Sequence, residues 1–110
     1  MTSDASSVGS VLAALADQTR LAVLQAVARH GEVSATALAA ELPVTRQAVA
    51  KHLSTLEAAG LVAGARAGRE VRYHAVGEPL ADTARWVAEL GAEWDDRLAR
   101  LASRMGPAQR

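Results

Sequence analysis

The chain has 110 residues, with 12 Lys and Arg balanced by 12 Asp and Glu and no cysteine; that length suits a single domain, and the missing thiols exclude a disulfide framework, a thiolate metal site and a thiol redox switch. Half the residues are apolar, but 26 are Ala, 13 Leu and 11 Val, with three aromatics (Tyr73, Trp86, Trp94), a balance that favours helix over sheet. No apolar run reaches the ~18–20 residues that span a bilayer, and no basic start followed by an apolar stretch marks a secretory signal, so the cytoplasm is the expected setting.

Residues 1–7 are small and polar and read as a disordered tail. Val8, Val11, Leu12 and Leu15 keep helical spacing and predict a first helix to about Ala16. Asp17-Gln18-Thr19 breaks that pattern and offers caps for a second helix. Its expected apolar stripe is Leu21, Leu24, Val27 and Ala28, and Gly31 stops it. Ser34 reads as the N-cap of a short third helix containing Leu38 and Leu42, ended by Pro43. Thr45 caps a fourth helix, from Arg46 to about Ala59, with Gly60 as its left-handed terminator. At about 100° per residue, Val49, Leu53 and Leu56 form its core stripe. Gln47, Ala50, Lys51 and Ser54 lie opposite, and His52 falls on the flank.

The period then changes. Leu61-Val62 begins an extended stretch, residues 65–69 read as a turn, and Val71, Tyr73 and Ala75 alternate with Arg72, His74 and Val76. That pattern predicts a β-hairpin with one buried face. Glu78-Pro79 opens a last helix. Leu80, Ala84, Val87, Gly91, Trp94, Leu98, Leu101 and Met105 alternate four and three residues apart, a heptad seam that Gly106-Pro107 closes. At 1.5 Å per residue this helix is ~40 Å long, more than so small a domain covers, so its seam is expected to meet another chain.

The charge is unevenly spread. Residues 1–44 carry a net −2, residues 45–76 a net +3 and residues 77–110 a net −1. The cations of the middle third are Arg46, Lys51, Arg66, Arg69 and Arg72. Two short helices with a tight turn, the second polar outward, followed by a basic hairpin, form the pattern of a winged helix-turn-helix. The fourth helix would lie in the major groove and offer Thr45, Arg46, Gln47 and Lys51, with His52 and Ser54 beside them. Gln pairs bidentately with adenine and Arg with guanine. Arg66, Arg69 and Arg72 on the hairpin would reach phosphates or an adjacent minor groove.

Four segments carry a family resemblance: Leu15-Ala-Asp-Gln-Thr-Arg-Leu-Ala-Val-Leu24, Val44-Thr-Arg-Gln-Ala-Val-Ala-Lys-His-Leu53, Leu56-Glu-Ala-Ala-Gly-Leu-Val62 and Gly68-Arg-Glu-Val-Arg-Tyr73. Together they resemble the ArsR-type (ArsR/SmtB-like) winged-helix repressors from about Val11 to Leu101. The resemblance implies a homodimer through the first and last helices, operator binding through the fourth helix and the hairpin, and repression, often of the protein's own operon. The tail looks like the subgroup without metal sites. Aligning Asp82 with the first ligand of the family's last-helix site puts Ala84, Asp95 and Leu98 at the others, and two of these four cannot bind metal. Ala50 stands where many members have Ser.

The expected architecture is mainly α with a small hairpin, in the order helix, helix, helix, helix, strand, strand, helix. A single domain, 1–110, would contain a helix-turn-helix at 34–59, a wing at 61–76 and a dimerisation helix at 79–105. The expected dimer contacts are Val8, Val11, Leu12, Leu15, Leu80, Val87, Trp94, Leu98 and Leu101. The expected partners are a palindromic operator in double-stranded DNA and a second copy of the chain, with no cofactor, no metal, no membrane and an effector the sequence does not name. Two alternatives keep the fold: a metal-responsive repressor with an unrecognised site, and a winged-helix module that binds protein. The basic helix and wing favour DNA. His30, His52 and His74 lie on three separate elements. Asp82, Glu89, Glu93, Asp95 and Asp96 read as a solvated face pairing with Arg85, Arg97 and Arg100, with Asp96–Arg100 and Glu93–Arg97 in the favoured order. Trp94 reads as an interface anchor, and Trp86, beside the seam, as a residue that could line a ligand pocket. No G-x-S-x-G or phosphate loop is present, so no enzyme is expected.

Overall fold

Side chains that satisfy free backbone amides set the helix starts. The computed structural model describes residues 5–105. Helix α1 is Ala5–Leu15. Asp17 accepts from the Arg20 amide at 2.9 Å and starts α2, Gln18–His30. Ser34 accepts from the Ala37 amide at 3.1 Å and starts α3, Ala35–Glu41. Thr45 accepts from the Ala48 amide at 3.1 Å and starts α4, Arg46–Ala58. All three caps follow the N-cap preference for short polar side chains. Gly31 and Gly60 take φ of +79°, a left-handed conformation that side chains resist. Arg20 also donates through Nη1 to the Ala13 and Ala14 carbonyls at 3.4 and 3.3 Å, covering acceptors left free at the end of α1. The Asp17-x-x-Arg20 pair thus joins two helices.

Residues 5–7, expected in the disordered tail, belong to α1, and residues 1–4 lie outside the described residues. The core gathers Val11 and Ala14, Val23, Leu24, Ala26 and Val27, Leu38, the α4 stripe Val49, Leu53 and Leu56, and Leu61 and Val62. Helix α2 is rotated from its expected phase. Leu24 and Val27 are buried as expected, but Val23 and Ala26 join them while Leu21 and Ala28 are exposed. Alanines at 22, 26 and 28 blur the stripe, and contacts with both α1 and α4 decide the inward face.

The sheet has three strands where two were expected: β1 (Val33–Ser34), β2 (Val62–Ala67) and β3 (Glu70–Ala75), in the order β1-β3-β2 and antiparallel throughout. The β2–β3 hairpin is longer than predicted. Its strands run up to a two-residue turn, Gly68-Arg69, where Gly68 has the positive φ of +68° that tight hairpin turns need. Gly64 faces Tyr73 across the ladder. A Cβ on Gly64 would come within 2.9 Å of Val71 Cγ1 and 3.0 Å of Tyr73 Cε1, so these side chains fill the space a residue there would need. Ala75, expected inward, is exposed.

Helix α5 is Glu78–Arg104, with Pro79 in its first turn. Thr83 is buried and Trp86 half-buried, and every residue from Val87 to Met105 is exposed. The expected stop at Gly106-Pro107 lies outside the described residues. No single helix among the described residues is both long and apolar enough to cross a membrane.

Candidate nucleic-acid interface

Burial of Val49, Leu53 and Leu56 fixes the orientation of α4 and turns Thr45, Arg46, Gln47, Ala50, Lys51 and Ser54 outward. The polar face expected from periodicity is therefore the exposed face. His52 is half-buried on the flank. Its charge lies near Asp17, whose carboxyl is held below its ordinary value first by the Arg20 amide, then by the Thr19 amide and by the charges of Arg20 and His52. The Thr45 hydroxyl oxygen is engaged in the cap.

The cations of this region differ in what holds them. Arg46 donates through Nε to the Thr36 hydroxyl at 2.9 Å, across the turn between α3 and α4. Arg72 donates to Glu70 at 3.1 Å, so part of its charge is already compensated. Lys51, Arg66 and Arg69 are exposed and have no ion-pair partner among the described residues. Sequence reasoning missed two of these facts. Glu70 and Arg72 are two apart on a strand and share a face, a signal that was available. The Thr36–Arg46 contact depends on how the turn folds and left no periodic trace.

Other candidates fall elsewhere. Val8 and Val11 are 2% and 3% exposed and line a cleft of about 290 Å³ with Ala58, Ala59, Pro79 and Thr83. Both are buried within the chain itself, where α1 packs against α5. Leu12 is 45% exposed and Leu15 half-buried. Leu80, Val87, Trp94, Leu98 and Leu101 are exposed along α5, and Leu90, which the heptad count passed over, is exposed with them. Trp86 does not line the cleft. Asp96 pairs with Arg100 at 3.8 Å and Asp82 pairs with Arg85. Glu93 and Arg97, expected to pair, form no ion pair among the described residues. His30 donates to Glu41, with 2.6 Å between Nε2 and Oε1, and Arg29 donates to the other Glu41 oxygen at 3.1 Å, tying the end of α2 to the end of α3. No group of three or more His, Asp or Glu with metal-binding geometry occurs among the described residues.

A helix-turn-helix with a basic two-stranded wing defines a winged helix-turn-helix DNA-binding protein. Comparison with known proteins agrees. A family described as a helix-turn-helix domain matches residues 15–65. The uncharacterised HTH-type transcriptional regulator YuzN of Bacillus subtilis (strain 168) is 39% identical over 66 residues, covering 54% of this chain and 72% of that protein. Mycobacterial regulators are 47% identical over 60 residues, and the match spans only 55% or 50% of their length. An ArsR-like transcriptional regulator from Rhodococcus sp. RHA1 superposes with a TM-score of 0.84 at 46% identity, over 94% of this chain and 96% of that one. A homodimeric winged helix-turn-helix DNA-binding domain from Mycobacterium bovis, a possible ArsR-family regulator, superposes with a TM-score of 0.62 at 30% identity, over 86% and 84% of the two chains. The chain belongs to the ArsR family of transcriptional regulators. It is a sequence-specific DNA-binding transcriptional regulator.

Proposed function

We propose that the chain is a homodimeric repressor that places one α4 in the major groove of each half-site of a palindromic operator. A protein two-fold axis is mirrored in such a site. The observation that carries this reading is α5: 27 residues long, with an apolar stripe through Leu80, Val87, Leu90, Trp94, Leu98 and Leu101 that its own chain leaves exposed. A second copy, meeting it through α5 and the outer face of α1 around Leu12, would cover the stripe. The homodimeric M. bovis relative supports this choice of occupant.

Within each half-site the two basic elements divide the work. Arg46 and Gln47 open the recognition helix, where base edges are reached. Lys51, Ser54 and His52 follow along and beside that face. Arg66 and Arg69, on the exposed wing, meet phosphates, and Arg72 contributes less because Glu70 holds it. The test is a mobility-shift titration of wild type, Gln47→Ala and Arg69→Ala on the chain's own upstream DNA and on scrambled duplex, at several salt concentrations. Gln47→Ala should cost about 1–3 kcal/mol on the operator and relax preference at one base pair per half-site. Arg69→Ala should weaken all sequences alike and lower the salt slope by about two for the dimer. Loss of operator binding alone by Arg69→Ala, with an unchanged salt slope, would contradict the division.

A further inference from the structure

We infer that Thr36, on α3, is a positioning residue for DNA sequence discrimination that acts through Arg46. The inference rests on the reading above, in which α4 enters the groove. Arg46 is the first residue of α4, at the end of the recognition helix where base edges lie closest. A free arginine there samples many rotamers, and ordering it on binding weakens the contact. The 2.9 Å bond from its Nε to Thr36 Oγ1 orders the stem beforehand. Nε is the nitrogen nearest the stem, and the two terminal nitrogens have no partner among the described residues. They remain available as the fork that reads the O6 and N7 acceptors of guanine.

The choice of acceptor matters. Elsewhere in the chain Arg29, Arg72, Arg85 and Arg100 are each held by a carboxylate, which neutralises as it orders. Arg46 is held by a neutral hydroxyl, so its orientation is fixed while its charge is kept for the groove. The nearer hydroxyl, on Thr45, has its oxygen engaged in the helix cap. Thr36 is exposed and ten residues away in sequence, brought alongside by the turn between α3 and α4.

The experiment compares wild type, Thr36→Val, Thr36→Ser, Arg46→Ala and the Thr36→Val/Arg46→Ala double variant. The probes are duplexes selected by the wild-type protein from a random library, each base pair then varied in turn, and a scrambled duplex. Arg46→Ala should flatten preference at one base pair of each half-site. Thr36→Val, which keeps the shape and removes the acceptor, should reduce discrimination at that same base pair by about two- to tenfold per half-site. Its affinity for scrambled duplex and its salt slope should not change. Thr36→Ser should restore discrimination, and Thr36→Val should add nothing in the Arg46→Ala background. If Arg46→Ala flattens the preference and Thr36→Val does not, the positioning role is wrong. Equal weakening on every sequence by Thr36→Val would also overturn it, because Thr36 would then be touching phosphate directly. If Arg46→Ala leaves the preference intact, the assignment of Arg46 to a base pair fails, and the role of Thr36 fails with it.

Discussion

Leu53 on α4 and Leu98 on α5 are the same residue on apolar stripes of similar spacing, yet Leu53 is fully buried and Leu98 is 56% exposed. The stripe of α4 needs to cover only Val49 to Leu56, and α2, α3 and β2 surround it. The stripe of α5 continues to Met105 on a helix of ~40 Å. The chain's other elements reach only its first turns: from Val87 to Met105 no residue is even half-buried. An apolar period says that a face is to be covered. The length of the element against the size of its neighbours says whether one chain can do it. The body from α2 to β3 satisfies itself, and the outer two-thirds of α5 does not.

The strongest way to break this contrast is to truncate the same side chain in both regions. Leu53→Ala should cost about 2–5 kcal/mol of folding stability, the range for a leucine deleted from a closed core. That loss should persist at every protein concentration. Leu98→Ala should leave dilute, monomeric protein almost unchanged and destabilise only concentrated samples, because coupling to assembly makes stability depend on concentration. Urea unfolding at two concentrations a hundredfold apart separates the cases. A concentration-independent loss from Leu98→Ala would mean that the stripe folds onto its own chain.

The next effect appears in assembly and DNA binding. Trp94→Glu or Leu98→Glu should give monomers by light scattering at micromolar concentration, with the helical circular dichroism of the body retained. Operator affinity should fall by about 10²-fold, since two half-sites would no longer be held by one particle. A wild type that is itself monomeric under these conditions would remove the basis of the dimer proposal.

What could be read from sequence divides along the same line. Caps at Asp17, Ser34 and Thr45 and the terminators Gly31 and Gly60 were legible because each depends on a few adjacent residues. The exposed stripe of α5 was legible because its period persists through many turns, although the heptad count omitted Leu90. On α4 the large apolar residues are Val49, Leu53 and Leu56, all on one face, and they fixed the buried side and hence which polar residues remain exposed. On α2 the expected stripe of Leu21, Leu24, Val27 and Ala28 was out of phase, because Leu21, Val23, Leu24 and Val27 spread over more than one face. Packing against α1, α3, α4 and β3 buried Val23 and Val27 and left Leu21 exposed. Strand β1 has two residues and so no period. It exists because β3 offers a free edge to Val33 and Ser34. The inward turn of Val8 and Val11 was hidden for a related reason: the pattern gave their shared face but not what α1 would meet.

The smallest expected effect is a pH dependence confined to the body. Glu41 accepts from His30 and Arg29, and the carboxyl is held below its ordinary 4.5, first by the His30 hydrogen bond and then by the His30 charge and the Arg29 bond and charge. A carboxyl whose value is lowered on folding stabilises the folded state fully above its ordinary value and stops doing so as pH falls through the lowered one. The contribution should therefore fade as pH falls below about 4.5. Asp17 fades in the same direction, through the Arg20 amide it caps. The site is exposed, so the change should be small and weakened by salt. Side-chain carboxyl NMR should show Glu41 titrating below 4.5 in wild type. Glu41→Gln should remove that part of the acid sensitivity of the urea midpoint while leaving the Asp17 part. Both groups lie in the self-satisfied body, so the wild-type and Leu98→Glu proteins should lose this contribution over the same pH interval. If the interval instead moves with the state of α5, the clamp between α2 and α3 responds to assembly, and the two regions are not as separate as their burial indicates.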